Sequence, residues 1–426
     1  MNTFNKNTLA SAVGVAALAL SVSAPVQAEE GVTISGWINE ALIYFDDGVG
    51  SDVVQASDNG TTLGSRITFA GNTDVAAGIN AGFEVILEPL SNNTPLIFSN
   101  QSGIADVGSG GPFDETTGAG IGVLGSSVNV GGAFGKFTVG LQSMPTDNIA
   151  VLADPSLTLW SSISPVFRGN GFNIQGTGAG FGAGAAGVVW GSFLGCLTAP
   201  ELQGVGGIGL DCNGIYRNGV RYDLPTFVEN LNIAVSYAND DVYDVAAKYN
   251  TQIGRVNTIL HLGYAQNNGP STGGNAAVQF YDSADNFQAQ LGLMDPQTGL
   301  FGTFAYQFED ADLTAAGRAI NYGDDTDALW LKVGVKRQFN SLGDTSFDFQ
   351  YGRYSDQYGA LGAVGVTGSD VDRIGFAVNQ YFGSNLIIYG AYENLSLDVE
   401  GPAATQALFA GDEDLDIFSL GLTYFF

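Results

Sequence analysis

The chain has 426 residues, with 14 Lys+Arg against 43 Asp+Glu and a formal net charge of −29. This balance excludes nucleic acid as a partner, since phosphate is bound through basic surface. Hydrophobic residues make up 45% of the sequence and 61 residues are glycine, yet beyond the amino-terminal segment no apolar run approaches the ~20 residues of a membrane-spanning helix. Two classes remain: a membrane β-barrel, whose closed ladder satisfies every backbone group in lipid, or an exported soluble all-β domain.

The first segment reads as an export signal. Lys6 precedes an apolar stretch from Leu9 to Ala24, and Val26-Gln27-Ala28 places small residues three and one before Glu29. This predicts a cleaved leader over 1–28 and a single domain over 29–426.

From there the dominant period is two, in segments of about ten residues, the pattern of a transmembrane barrel. Val32, Ile34, Gly36 and Ile38 alternate with Thr33, Ser35, Trp37 and Asn39, and Leu329, Leu331, Val333 and Val335 with Trp330, Lys332, Gly334 and Lys336. The pattern predicts sixteen strands near 31–45, 62–71, 76–90, 120–132, 135–143, 216–224, 229–239, 242–250, 255–267, 285–294, 299–308, 327–338, 343–354, 370–381, 384–397 and 413–426. Tight links such as Gly71-Asn72-Thr73-Asp74 and Asp295-Pro296-Gln297-Thr298-Gly299 alternate with long polar ones. A soluble sandwich has no reason to sort its loops by parity; a membrane barrel does.

One connection, 143–215, is far longer than a compact domain usually leaves irregular. It is rich in Gly and Ala from Gly176 to Gly187 and contains Cys196 and Cys212. In an oxidising compartment these predict a disulfide; two lone thiols are too few for a metal site. An extra hairpin within this segment would make eighteen strands.

Several stretches resemble the Gram-negative general porins. Val32-Thr33-Ile34-Ser35-Gly36 resembles their opening strand and Gly64-Ser65-Arg66-Ile67-Thr68-Phe69-Ala70-Gly71 their second. Gly135-Lys136-Phe137-Thr138-Val139-Gly140 is similar to the fifth, and Asn218-Gly219-Val220-Arg221-Tyr222-Asp223-Leu224-Pro225 to the sixth. The ending Tyr424-x-Phe426 is similar to the signature such barrels present to the outer-membrane assembly machinery. The resemblance implies a homotrimer of sixteen-stranded antiparallel barrels in a Gram-negative outer membrane, among lipid and lipopolysaccharide, with the long third loop folded into the lumen. Two departures stand out. Trp37 and Ser127 occupy positions where enteric members often carry basic residues. In Ser164-Pro165-Val166-Phe167-Arg168-Gly169, Val166 and Arg168 replace the glutamate and first glycine of the familiar loop turn.

If apolar positions face lipid, parity places Trp37, Glu84, Glu88, Lys248, Arg255, His261, Lys332, Lys336 and Arg373 on the lumen side, because a cation facing lipid at mid-membrane costs ~2–4 kcal/mol. A basic wall facing an acidic loop would set a transverse field across the narrowest section. The expected constriction is Arg66, Arg217 and Arg221 against Asp147 and Asp154, with Arg168 intruding on the acidic side. The alternative is that these arginines only hold the loop in place.

Acidic clusters (Asp46, Asp47, Asp52 and Asp58; Glu309, Asp310, Asp312, Asp324, Asp325 and Asp327; Asp412, Glu413 and Asp414) read as solvated loops that offer oxygen ligands to Ca²⁺. No other cofactor is indicated. His261, the only histidine, has no recognisable nucleophile beside it, so catalysis is not expected. These features describe a passive channel for small hydrophilic solutes and ions with a weak cation preference. A substrate-selective channel is the alternative, and a structural or enzymatic barrel a more distant one.

Overall fold

The computed structural model describes residues 31–56, 63–90, 97–99, 105–107, 120–176, 188–197, 208–213, 216–239, 241–268 and 279–426. The leader expected over 1–28 and most of the glycine-rich stretch after Gly176 lie outside these residues, as does Asp58.

Among the described residues, sixteen long strands form the wall. The first six are β1 (Thr33–Asp46), β2 (Arg66–Ala76), β3 (Ile79–Leu90), β4 (Gly120–Gly132), β5 (Gly135–Ser143) and β6 (Tyr216–Asp223). The next five are β7 (Leu231–Ala238), β8 (Val242–Ile253), β9 (Val256–Asn267), β10 (Tyr281–Met294) and β11 (Leu300–Leu313). The last five are β12 (Asp325–Asn340), β13 (Gly343–Ser355), β14 (Gly368–Phe382), β15 (Leu386–Glu400) and β16 (Leu415–Phe425).

Each strand pairs antiparallel with the next, and β16 returns to β1 in the register Trp37↔Phe425 through Asp46↔Asp416. Reciprocal bonds of 3.1 Å between Gly36 and Phe426 finish the seam. The ladder therefore has no edge, as a strand protein in lipid requires. β5 pairs directly with β6, so the long connection adds no strand to the wall and the count is sixteen rather than eighteen.

The second strand differs from expectation: it starts at Arg66 and runs to Ala76. Beside the upper half of β1 its place is taken by a short strand, Ser51–Ala56. The chain can turn back there because Asp47 Oδ1 accepts the amides of Val49 and Gly50 at 3.2 and 2.9 Å.

The two ends of the barrel differ as the loop lengths predict. In the β10–β11 turn, Asp295 accepts from Gln297 N and Thr298 Oγ1 at 3.0 Å each, and Gly299 takes a φ of +77°, the left-handed region that favours glycine. At the opposite rim, outward tyrosines reach carboxylates: Tyr243 to Asp241, Tyr264 to Asp285, Tyr351 to Asp372 and Tyr392 to Asp416, at 3.0, 2.9, 2.6 and 2.6 Å. Each ring thus lies against the apolar belt with its hydroxyl toward the acidic rim, the arrangement expected at a membrane interface.

The alternation on β16 shows the two faces of the wall. Leu420 is 59% exposed to the outside, whereas Thr423 is fully buried toward the lumen. A Leu420→Arg substitution would place a cation on the lipid face and should lower folding stability by ~2–4 kcal/mol, measured by denaturant unfolding from lipid vesicles. Glu84→Arg, which adds its cation to the wet side, should not carry this cost.

Candidate functional site

The long connection leaves the wall at Ser143 and turns inward at once. Thr146 is tied to β8 by its amide and its hydroxyl, which donate to Asp244 Oδ2 at 2.8 and 2.7 Å. The segment then descends along the inner face of β8–β16 and β1. Ala153 N donates to Gln290 of β10 at 2.6 Å, and Tyr381 of β14 donates to Leu157 O at 3.1 Å. Trp160 reaches the floor, edge-on to Trp37 at 6.0 Å and to Phe425 at 5.0 Å between ring centroids.

What holds the loop is a hydrophobic core together with buried ion pairs. Phe172, Ile174, Trp190, Phe193, Leu194, Ile208 and Leu210 from the loop pack with wall residues including Phe45, Trp330, Tyr354, Leu395 and Ile417. Phe45 and Phe172 stack at 4.4 Å. A disulfide joins Cys196 and Cys212, and both its ends are fixed to β11, by Leu197 N to Glu309 at 3.0 Å and Cys212 N to Gln307 at 2.7 Å.

Lys332 of β12 donates to Asp154 and Thr158 at 2.8 Å each and to Ser162 O at 3.1 Å. Burial works against the Asp154 carboxylate, but Lys332 and the Ser156 hydrogen bonds overcome it and hold it below the usual carboxylate range. On β14 and β15, Glu393 lies between two arginines: it pairs with Arg373 on the wall and with Arg168 of the loop, the latter at 2.9 Å. Arg373 also donates to Ile163 O at 2.7 Å and Pro165 O at 3.1 Å.

The rest of the lumen lies along β1–β6. A recess of about 560 Å³ opens there, bordered by Glu84, Ser127, Asn129, Lys136, Thr138 and Arg221 among others. Its charges are of both signs. Arg221 pairs with Asp223 at 2.7 Å and Lys136 with the same carboxylate at 3.7 Å; the Arg66–Glu88 pair, at 3.2 Å, is buried apart from the recess. Glu84 is exposed to this space and forms no ion pair with a described residue. Small residues face inward at one level of this wall, where Ser127 pairs with Gly140 and Gly140 with Gly219. Any side chain at Gly140 would also meet the Ser126 carbonyl, 2.4 Å from its Cβ.

A Gram-negative porin family model matches residues 12–399. The chain is a Gram-negative porin. It therefore belongs to the outer membrane and forms a passive channel. No curated protein matches the chain. Among solved structures, an anion-selective porin from Comamonas acidovorans aligns at 18% identity over 93% of this chain and 99% of its own, with a TM-score of 0.56. The outer-membrane channel DcaP of Acinetobacter baumannii aligns at 11% identity over 95% and 100%, TM-score 0.52. OmpT of Vibrio cholerae in a trimer form aligns at 14% identity over 93% and 100%, TM-score 0.51. At these identities the likeness is one of fold.

In this porin the expected constriction residues divide into two groups. Arg66, Arg221 and Asp147 come within electrostatic reach of one another, with Lys248 beside them. Arg217 faces inward opposite Gln142. Asp154 and Arg168 do not join them, because both are buried against the far wall by Lys332 and Glu393.

The expected lining divides in the same way. Glu84 lies on the open side, and Glu88 is paired with the buried Arg66. Trp37, Lys332, Lys336 and Arg373 face inward as parity requires but lie beneath the loop; Lys336 donates to Ser156 O at 2.9 Å. Lys248 donates to Asp147 O at 3.3 Å, and His261 is buried next to it. Arg255 is in the β8–β9 turn, 62% exposed at its side chain and paired with Asp295 at 2.8 Å, so it belongs to the short-turn rim and not to the lining.

Two of the acidic residues assigned to solvated loops are also buried. Glu309 faces inward to hold Leu197, and Asp47 accepts from Gln175 of the loop at 2.8 Å. Sequence reasoning missed Tyr216, which sits among Arg66, Asp147, Glu84 and Glu88, and Glu393, the carboxylate between the two arginines. The aromatics of a nominally polar loop, Trp160, Phe167, Phe172, Trp190 and Phe193, were the available sign that it packs rather than floats.

Lys332→Met would leave Asp154 buried without its counter-ion, and breaking a buried pair in this way costs ~3–5 kcal/mol. Thermal unfolding of the porin should show that loss. Planar-bilayer recordings of the same variant should show a larger or noisier conductance as the loop comes away from β12.

Proposed function

We propose that this porin is a general diffusion channel for small hydrophilic solutes and ions, with a weak preference for cations. The observation that carries the reading is the division of the lumen. The loop covers the apolar and strongly basic part of the wall, leaving a recess of small, polar and oppositely charged side chains along β1–β6. A sugar-selective ladder would need exposed aromatics, and Trp37 and Trp330 are each only 1% exposed.

Two features support the cation preference. Lys332, Lys336, Arg373 and Arg168 are engaged in holding the loop, whereas Glu84 forms no ion pair among the described residues. The acidic rim would also concentrate cations within a Debye length, ~8 Å at physiological salt. Conductance in planar bilayers should rise linearly with salt, and the reversal potential under a salt gradient should take the sign of the cation. Saturation by one solute would instead indicate a selective channel, and an anion-signed potential would refute the preference.

The working assembly is a homotrimer, a reading supported by the trimeric OmpT of the same fold. The Tyr424-x-Phe426 ending addresses the chain to the assembly machinery, and cleavage of the leader leaves Glu29 as the mature amino terminus. Lipopolysaccharide meets the rim where Asp285, Asp310 and Asp325 stand on adjacent strands in direct register. Like charges placed opposite one another are destabilising, and Ca²⁺ is the ion suited to offset them. Elemental analysis of dialysed trimer should return retained calcium; a calcium-free protein of unchanged stability would remove this part of the proposal.

A further inference from the structure

Three aspartates meet where the infolded loop begins and ends. Asp147 lies near its start, Asp211 near its end and Asp244 on β8. Asp147 accepts from Ser143 Oγ at 2.6 Å and from Asn148 Nδ2 at 2.7 Å. Asp211 Oδ1 accepts from Ala150 N at 3.2 Å, joining the end of the loop to its start. Asp244 holds Thr146, which also receives a hydrogen bond from Asn213.

The charged groups around them are few. Lys248 of β8 faces all three carboxylates, Arg221 of β6 and Arg66 of β2 approach Asp147, and Tyr216 of β6 lies near the same carboxylate. His261 of β9 stands opposite Lys248 in the strand register. Among the buried atoms at the loop base that have no hydrogen-bond partner among the described residues are Asp211 Oδ2, on a residue with no exposed surface, Asn148 Oδ1, and His261 Nδ1, on a residue 6% exposed. A fully buried carboxylate with one unsatisfied oxygen beside a second carboxylate is costly as an anion and far less so as an acid.

We propose that Asp211 is a proton-loaded clasp that fastens the two ends of the infolded loop to each other, and that loss of its proton loosens the loop base and changes the opening between the loop and β2–β6. The clasp lies behind the constriction rather than in it: Asp211 touches Ala150 while Asp147, on the same turn of chain, faces Arg66 and Arg221. The proposal rests on the reading that this loop sets the width of the channel.

The ionisation of the loop groups agrees with this geometry. Burial, with the neighbouring Asp147 charge adding to it, pushes the Asp211 carboxyl up to about 8. Burial also raises Asp147 to about 6, against the opposing effects of Ser143 and Lys248. For a carboxyl whose folded value lies above its ordinary ~4, the folded state binds the proton more tightly than the unfolded chain does. Its stabilisation is complete in acid and is lost as pH rises through the folded value. The loop base is therefore tightest below pH ~4 and loosest above about 8.

Single-channel conductance of the full-length porin, recorded from pH 5 to 9, tests the clasp. The wild type should change conductance or closing frequency with a midpoint toward 8. Asp211→Asn, which keeps the acceptor for Ala150 N but cannot ionise, should hold the acid-side behaviour throughout. Asp147→Asn removes the repelling neighbour and should shift the midpoint to lower pH, which keeps the test open if the first variant folds poorly. A wild-type profile flat over this range, or an Asp211→Asn profile matching the wild type, overturns the proposal. Failure of the channel reading itself is distinct, since it leaves no conductance at any pH.

Discussion

Closure of the backbone ladder is the constraint on which the rest of this porin depends. In lipid no water is available to an unpaired amide or carbonyl, so the wall must end where it began, and β16 must meet β1 in register. Once the ring is closed, every strand has one face in lipid and one in the lumen, and residue parity assigns them without exception along β16. Closure also creates a lumen that something must fill, water or protein. In this chain the division is unequal: of the described residues, the loop fills the side of β8–β16 and β1, and a recess opens along β1–β6.

The loop that fills the lumen is built like a small domain rather than a flap. It has an apolar core, a disulfide with both ends bonded to one strand, and ion pairs with almost no exposed surface. Such pairs are weak evidence for stability, because desolvation offsets much of their attraction. Their geometric consequence is firmer. Glu393 can satisfy Arg373 and Arg168 together only if the loop lies at one depth and one rotation against β14 and β15. Cations that would be hydrated on a bare wall become positioning contacts for a single loop conformation.

This arrangement changes the electrostatics of the channel. A bare wall would present Lys332, Lys336 and Arg373 to the solvent along with Arg66 and Arg221, and its lumen would be strongly basic. With the loop in place the first three are consumed, and the open side carries ion-paired charges of both signs together with Glu84, which is exposed there. The field that a solute meets is set by which wall charges the loop leaves uncovered. The charged base of the loop, where Asp147 lies between the arginines and the buried Asp211, couples that field to the fastening of the loop.

The wall was legible in the sequence because its determinants are local. A period of two, bounded by turn residues, locates strands such as 120–132 and 135–143 to the residue, and it assigns Lys332 and Trp330 to the lumen side from their immediate neighbours alone. Cys196 and Cys212 were likewise readable as a pair, since a single loop in an oxidising compartment leaves few alternatives. The upper half of the second strand differs from expectation because the short strand Ser51–Ala56 takes that edge of β1 first, through a tight hairpin, and the alternation of the later segment carries no sign that its partner is already occupied. The divided fate of the lining residues was not legible at all. Parity states that Arg221 and Lys332 both point inward, but only the path of the infolded loop decides that Lys332 is buried against Asp154 while Arg221 borders the open side. Periodicity reports on a residue and its neighbours in the chain; coverage depends on a segment nearly 180 residues away, brought there by packing that no local pattern encodes.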